Sequence, residues 1–352
     1  MKFRIINLML MAISVTIAFT SCDIEAEALE IQKLNVYDDQ YYANLRAWKA
    51  TAKERQVSFV WYEAYSPIEG VAGYKDPASW GERIKGLPDS LDICSLWMGI
   101  PSNDPTSDDY APIAYEDMRY AQKVLGTRFV ATTITRMNNK TITLKDGTEY
   151  SLHDNRNNDG IKVYAQYLVD QVLDAGLDGI DLDYEPEGDY LTGAPFTVLV
   201  QEVAKYFGPK GMYPDKLFTI DFYSAYPPSA TEEYVDYFIR QAYTQGFTEH
   251  NATRLQTYYN SISWTAPEKF IVTENFGEFF ANGGTPFTEA DGNTLSADGS
   301  RMMSLEGMAR WHPTQGRKGG FGVFYLGRSY HGIAGPYTDF RRAIQIANPA
   351  IK

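Results

Sequence analysis

From Val57 onward the chain alternates short apolar runs, rich in β-branched and aromatic residues, with stretches whose apolar positions recur at helical spacing. Runs of the first kind fall at 57–63, 91–98, 128–135, 179–185, 217–223, 237–243, 269–275 and 320–325. Strands separated by helical stretches imply parallel pairing through crossover helices, and eight of them predict an α/β fold, a single (β/α)8 barrel of the TIM type. The clearest helix precedes the fourth run: Ile161, Tyr164, Leu168, Val172 and Leu173 share a face, and Gly176 is placed to cap the C-terminus. Ahead of the first strand, residues 38–54 read as a further helix, with Tyr42, Leu45 and Trp48 at helical spacing, packed on the outside or the bottom of the barrel.

The fourth run departs from the others. In Leu177-Asp178-Gly179-Ile180-Asp181-Leu182-Asp183-Tyr184-Glu185 the apolar Ile180, Leu182 and Tyr184 alternate with Asp181, Asp183 and Glu185. On a strand, three acidic side chains then share one face, spaced about 6.6 Å apart. If that face is enclosed the carboxyls cannot all ionise cheaply. Repulsion and desolvation raise at least one proton affinity, which keeps a carboxyl protonated near neutrality and able to act as a general acid. The purely structural alternative is a surface strand with a solvated acidic edge; the apolar alternates, the preceding helix and the following Pro186 favour a core strand that ends at a loop. Asp178 has the wrong parity to join the other three and is expected to anchor the strand's entry.

The spacing Asp-Gly-Ile-Asp-Leu-Asp-Tyr-Glu resembles the signature of glycoside hydrolase family 18, which includes the chitinases and the endo-β-N-acetylglucosaminidases. Many chitinases have Trp where this chain has Tyr184, which leans toward the endoglycosidase branch. Phe238-Ile239-Arg240-Gln241-Ala242-Tyr243 resembles the sixth-strand segment of that branch, where a Gln-x-Tyr sets a hydroxyl beside the reacting sugar. Residues 319–325 resemble the glycine-rich last strand, whose terminal aromatic forms a floor under the sugar ring; here that aromatic is Tyr325, or Phe324 if the register is shifted by one. The Ser95-Leu96-Trp97 strand end and the leader helix also resemble bacterial endoglycosidases. The resemblance covers most of residues 38–345, and its specific parts are the acidic strand and Gln-x-Tyr.

This resemblance implies a retaining hydrolysis in which the substrate's own 2-acetamido group is the nucleophile. Glu185 would protonate the glycosidic oxygen and later activate water, Asp183 would orient the amide, Asp181 would hold or share a proton with Asp183, and Tyr243 would hydrogen-bond the acetamido oxygen. In such barrels chemistry sits at the carboxyl ends of the strands. Reading those ends gives Glu63, Trp97, Arg136, Asp221 with Tyr223, Gln241, Glu274 with Asn275, and Tyr325 with Arg328 around the acidic pair. Of these, Gln241, Trp97, Tyr325, Asp221, Tyr223 and Asn275 are expected to bind substrate, although each alone also reads as a strand-end residue meeting solvent. Chitin, peptidoglycan-like polymers and the chitobiose core of N-linked glycans all carry the required sugar. Only residues 276–319 separate the last two strands, short for the α+β insertion of many exo-acting chitinases, and the shallower cleft this implies suits a branched N-glycan on a glycoprotein. The alternatives are a chitinase and a non-catalytic glycan-binding lipoprotein; the retained Glu185 speaks against the latter.

Charge and cysteine use narrow the picture. A formal net charge of −13 and a pI near 4.8 exclude nucleic acid and a polybasic membrane contact as partners. Lys2 and Arg4 precede an apolar run over residues 5–19, too short for a comfortable membrane span and laid out as a secretory signal. Phe19-Thr20-Ser21-Cys22 resembles a bacterial lipobox with Cys22 as the lipid-modified residue, and Asp23, Glu25 and Glu27 behind it resemble a lipoprotein surface-export signal. The expected organisation is therefore a signal over 1–22, a leader with a helix over 23–54, and a catalytic barrel over 55–352. The protein is expected to be a monomer attached to the outer membrane by its lipid alone. Cys94 is then the single remaining cysteine, which rules out an internal disulfide or a cysteine metal site. His153, His250, His312 and His331 are scattered, no Gly-x-Ser-x-Gly occurs, and no metal or cofactor is expected.

Overall fold

All eight expected strands form, and they close on themselves: Val57–Tyr62 (β1), Ile93–Leu96 (β2), Arg128–Ile134 (β3), Gly179–Tyr184 (β4), Leu217–Phe222 (β5), Tyr237–Gln241 (β6), Phe270–Asn275 (β7) and Gly320–Phe324 (β8). The computed structural model describes residues 36–63 and 83–349; the expected signal with Cys22 and the first part of the leader lie outside the described residues. Neighbours pair in parallel in chain order, and β1 closes on β8 from Val57↔Gly320 to Trp61↔Phe324. Ahead of β1 stands the helix Asp39–Ala50 (α1), and the outer layer includes Pro112–Tyr120 (α2), Asn158–Asp174 (α3), Ala194–Val203 (α4), Ala252–Asn260 (α5), Ser304–Arg310 (α6) and Thr338–Ala347 (α7).

Strand residues alternate in direction, so each strand serves two cores. Ile180, Leu182 and Tyr184 of β4, with Phe218, Ile220 and Phe222 of β5, face the helices. Val57, Phe59, Trp61, Ile93, Val130, Leu217, Tyr237, Ile239 and Ile271 fill the lower barrel. On β8 the two lower interior positions, Gly320 and Gly322, are glycines: a Cβ on Gly322 would lie 2.0 Å from the carbonyl oxygen of Phe59, so only glycine lets β1 and β8 approach here.

The α3 helix begins at Asn157, whose Oδ1 accepts the amides of Asp159 and Gly160. It ends in a Schellman motif, Leu177 N–H to the Val172 carbonyl at 3.0 Å and Gly176 N–H to that of Leu173 at 3.1 Å, with Gly176 at φ +57°. The chain therefore turns straight into β4. The buried face is Ile161, Tyr164, Ala165, Leu168, Val169 and Val172, and Leu173, expected on it, is only partly buried.

Two expectations need correction. The 38–54 helix is shorter: Asp38 caps it, its carboxylate accepting the Tyr41 amide at 2.8 Å, and after Ala50 the chain tightens into a 3₁₀ turn, Ala52–Glu54. Its buried residues are Tyr42, Leu45 and Lys49 rather than Trp48; Lys49 Nζ reaches Thr127 Oγ1, while the Trp48 ring carries the Arg55 guanidinium at 3.6 Å. Lys49 lines a small cavity with Val57, Ile93, Leu217 and Tyr237, so α1 covers the bottom of the barrel. Several strands also stop short of their expected ends, leaving Trp97, Glu185, Tyr223, Tyr243 and Tyr325 just beyond them at the mouth.

Candidate active site

The interior parity of β4 carries Asp181, Asp183 and Glu185 upward from the apolar floor to the mouth. Asp178 does not belong to the column: its carboxylate takes the Phe129 amide at 2.9 Å and the Gln122 side chain at 2.7 Å, clamping the start of β3 as expected of an anchor.

Asp181 is fully buried and held by three donors, Trp61 Nε1 at 3.1 Å, Ser95 Oγ at 3.0 Å and Thr219 Oγ1 at 2.7 Å. Burial pushes its pKa up to about 6 against the pull of these bonds. The sequence pattern did not single out Trp61 or Thr219, and it marked Ser95 only as part of the Ser95-Leu96-Trp97 strand end. Their interior parity on β1, β2 and β5 at the height of Asp181 was the signal available.

Asp183 is 1 % exposed, and across the β4–β5 ladder its register partner is Asp221, itself fully buried. Gln241 Nε2 bridges the two, 2.6 Å from Asp221 Oδ1 and 3.4 Å from Asp183 Oδ1. Burial, then the charge of Glu185, raises Asp183 to about 8; burial, then Asp183, lifts Asp221 well above the usual carboxylate range. Asp221 Oδ2 is buried and reached by no donor among the described residues, which follows if the group it faces is another carboxyl and the pair shares a proton. Asp221 and Gln241, expected to bind substrate, are buried with Asp183 in this carboxyl cluster. The main proton-sharing partner of Asp183 is Asp221 rather than Asp181, because Asp181 already has its donors.

Glu185 sits just beyond β4 with its side chain 29 % exposed. Burial and the neighbouring Glu187 raise its pKa, and Arg136 opposes them. Arg136 Nε donates to the Glu185 carbonyl at 3.2 Å, while its Nη2 lies 3.5 Å from Glu185 Oε2 and 2.7 Å from Glu187 Oε2.

Around the column the mouth is aromatic. Phe324, on the interior parity of β8, meets Trp61 (5.9 Å between ring centroids), Trp97 (4.9 Å), Tyr243 (5.9 Å, near-parallel) and Tyr325 (3.8 Å). The Phe324–Tyr325 peptide is cis. Of the two floor candidates, Phe324 is the ring at the centre of the group and Tyr325 stands beside it against Trp97, 6.0 Å away. Tyr223 stacks on Tyr243 at 6.1 Å. Burial, with Asp221 and Asp183 next, raises the Tyr243 hydroxyl well above its ordinary value, so it stays a neutral donor.

Two supports lie behind this wall. Glu274, fully buried, accepts the amide and hydroxyl of Thr244, the hydroxyl of Ser304 and the amide of Asn275, which fixes the residue following Tyr243. Arg240 donates to the carbonyls of Phe222 and Tyr223 inside a cage that includes the Tyr258 ring at 4.3 Å, and so holds the end of β5. Asn275 ends β7 with a buried Oδ1 that has no partner among the described residues, and Glu63 is buried with its carboxylate on the Gly327 amide at 3.1 Å. Among the described residues no cluster of metal-ligating side chains occurs. A half-exposed proton-donating carboxyl above a buried, proton-sharing one, beside a stacking surface, can perform acid–base chemistry on a sugar.

Comparison with known proteins agrees with this chemistry. The model of the endo-beta-N-acetylglucosaminidase EndoS TIM-barrel domain matches residues 40–324. Endo-beta-N-acetylglucosaminidase F2 of Elizabethkingia meningoseptica is 25% identical over 287 residues, 79% of this chain and 74% of that protein. Among solved structures, an endo-beta-N-acetylglucosaminidase from Cordyceps militaris superposes with a TM-score of 0.62 at 20% identity, covering 90% of this chain and 98% of that one. A variant of that enzyme was solved in complex with fucosyl-N-acetylglucosamine-Asn. A family 18 chitinase from Pseudoalteromonas aurantia shares the fold at a TM-score of 0.51 and 15% identity, over 83% of this chain and 100% of that one. With the family match running from α1 to the end of β8, the chain belongs to the endo-β-N-acetylglucosaminidases of glycoside hydrolase family 18.

Proposed function

We propose that this glycoside hydrolase cleaves the β-1,4 bond between the two N-acetylglucosamines of the N-glycan chitobiose core, with the substrate's acetamido group as nucleophile. The observation that carries the reading is vertical. Of the three carboxyls on the β4 interior, only Glu185 reaches solvent, while Asp183 is sealed and protonated in common with Asp221. A carboxyl in that state is a poor nucleophile. A retaining enzyme ordinarily sets a second, ionised carboxylate about 5–5.5 Å from the acid; with Asp183 unsuited to that task, the attacking oxygen comes from the sugar.

Glu185 gives its proton to the leaving oxygen as the acetamido carbonyl oxygen closes on the anomeric carbon, forming an oxazolinium-type ring. Tyr243 hydrogen-bonds that carbonyl, and Phe324 with Trp97 supports the sugar ring. Asp183 turns to the acetamido N–H as the shared proton stays with Asp221, which leaves an anion beside the developing cation. Glu185, now ionised, takes a proton from water as the water opens the ring. The relatives support the substrate: fucosyl-N-acetylglucosamine-Asn, bound by the Cordyceps militaris variant, is the piece that a chitobiose cut leaves on a core-fucosylated asparagine. The lipobox-like Phe19–Cys22 stretch supports attachment to the outer membrane; fatty-acid labelling that survives Cys22→Ala would exclude it.

Mass spectrometry of a defined glycoprotein after digestion tests the substrate: a single N-acetylglucosamine retained on asparagine is expected. Release from chitin oligosaccharides with intact glycoprotein would overturn the reading. Glu185→Gln is expected to abolish turnover while glycan binding persists.

A further inference from the structure

The ends of β3 and β4 remain joined beyond the point where the barrel ladder stops. Thr135 gives both its N–H and its Oγ1 to the Asp183 carbonyl, each at 3.0 Å. Further out, the amides of Met137 and Asn138 go to the Asp189 carboxylate at 3.0 and 2.8 Å, and the same carboxylate takes the Leu191 amide at 2.9 Å. Arg136 lies between these two anchors, its own amide facing the Tyr164 hydroxyl of α3. Held on both sides, its side chain crosses onto residues 185–187.

There the guanidinium makes an unequal fork. One nitrogen holds the Glu185 backbone carbonyl at 3.2 Å, and another stands 3.5 Å from the Glu185 carboxylate and 2.7 Å from that of Glu187. An ion pair this exposed contributes little to stability. Its fixed planar geometry contributes direction instead. We propose that Arg136 is a positioning residue for Glu185, orienting the acid from its backbone and its side chain, and that Glu187 takes the guanidinium's short bond and so prevents Arg136 from neutralising the group it orients. This inference rests on the assignment of Glu185 as the acid. Among the described residues four ionisable groups face Glu185: Arg136 from the loop after β3, Glu187 from its own loop, Asp183 beneath it on β4, and Tyr243 from beyond β6.

The test is the pH profile of kcat/KM on a defined glycopeptide, whose alkaline limb reports deprotonation of the acid in the free enzyme. Arg136→Gln is expected to move that limb upward by about half a pH unit and to lower kcat about tenfold with KM near the parent value. Glu187→Gln, at an exposed position that the barrel does not need for folding, is expected to move the limb downward, since it removes an anion and releases Arg136 onto Glu185. Arg136→Lys retains the cation without the fork, so kcat falls and the limb stays near that of the parent. Limbs that coincide with the parent in both glutamine variants, or that move in the same direction, would overturn the proposal, as would an undiminished kcat in both Arg136 variants. Glu185→Gln separates the two levels. Surviving turnover there removes the acid assignment itself, whereas a dead Glu185→Gln with parent-like Arg136 and Glu187 variants removes only the positioning role.

Discussion

Asp183 and Asp221 stand opposite each other on β4 and β5, and the outer oxygen of Asp221 is buried without a donor among the described residues. Two carboxyls so placed are satisfied only when one of them is protonated. Around neutral pH the resting enzyme thus holds a proton that the unfolded chain would have released.

That proton has a consequence for stability whose sign is fixed. The folded pKa of Asp183, about 8, lies above its unfolded value of 3.8, so between roughly pH 4 and pH 8 the folded state binds more protons than the unfolded one. Stability therefore falls as pH rises through this window. Asp183→Asn is expected to raise Tm relative to the parent by more at pH 8 than at pH 4, while lowering kcat by roughly 10²–10³. Equal Tm differences at both pH values would contradict the shared proton.

Phe324 and Tyr325 compete for the role of sugar platform, and the ring contacts favour Phe324, which touches Trp61, Trp97 and Tyr243 as well as Tyr325. An aromatic contact contributes on the order of 1.4 kcal/mol, a factor of ten. Phe324→Ala is expected to raise KM about tenfold and Tyr325→Ala less, measured by steady-state kinetics. A larger effect at Tyr325 would reverse the assignment.

The barrel was legible because its evidence is periodic. Alternation on β4 separates Asp181 and Asp183 from Ile180 and Leu182 with no knowledge of any other strand. What pairs with what across strands is a matter of register, which no local pattern contains. That Asp221 lies opposite Asp183, with Gln241 bridging the two, is therefore visible only once β4, β5 and β6 are paired. The bonds of Trp61, Ser95 and Thr219 to Asp181 have no local signature for the same reason, their meaning being the carboxylate at their height in the barrel. The choice between Phe324 and Tyr325 depended on where the β8 ladder ends, a boundary that sequence patterns locate poorly.

Gly179 opens the acidic strand for a steric reason. At φ +153° its missing Cβ would fall 2.1 Å from the Leu217 carbonyl oxygen and 2.7 Å from the Leu217 nitrogen, both β5 backbone that cannot move aside without shifting the register beneath Asp181 and Asp183. Gly179→Ala is expected to destabilise the fold by roughly 3 kcal/mol, read as a lower urea midpoint, and to reduce kcat where the protein is still folded. An unchanged midpoint would mean that β4 and β5 are not in this contact.

His250 ties the site to acid. Its Nε2 lies 2.9 Å from the Ala242 carbonyl, between Gln241 and Tyr243, and its Nδ1 accepts the Asn251 amide at 2.9 Å. With Nδ1 used as an acceptor, Nε2 must carry the hydrogen, and a second proton would set Nδ1–H against N–H. Burial, with Arg254 adding to it, lowers the pKa from 6.5 to about 4. The unfolded chain therefore takes up a proton as pH falls below 6.5 while the folded chain does not until about 4, and stability declines across that window by up to roughly 3 kcal/mol. His250→Gln retains a donor for Ala242 and has nothing to titrate. Urea midpoints measured from pH 7 to pH 4 are expected to fall less steeply for this variant than for the parent, even if the variant starts lower at pH 7. Parallel slopes would mean that His250 protonates as readily folded as unfolded, which its two hydrogen bonds do not allow.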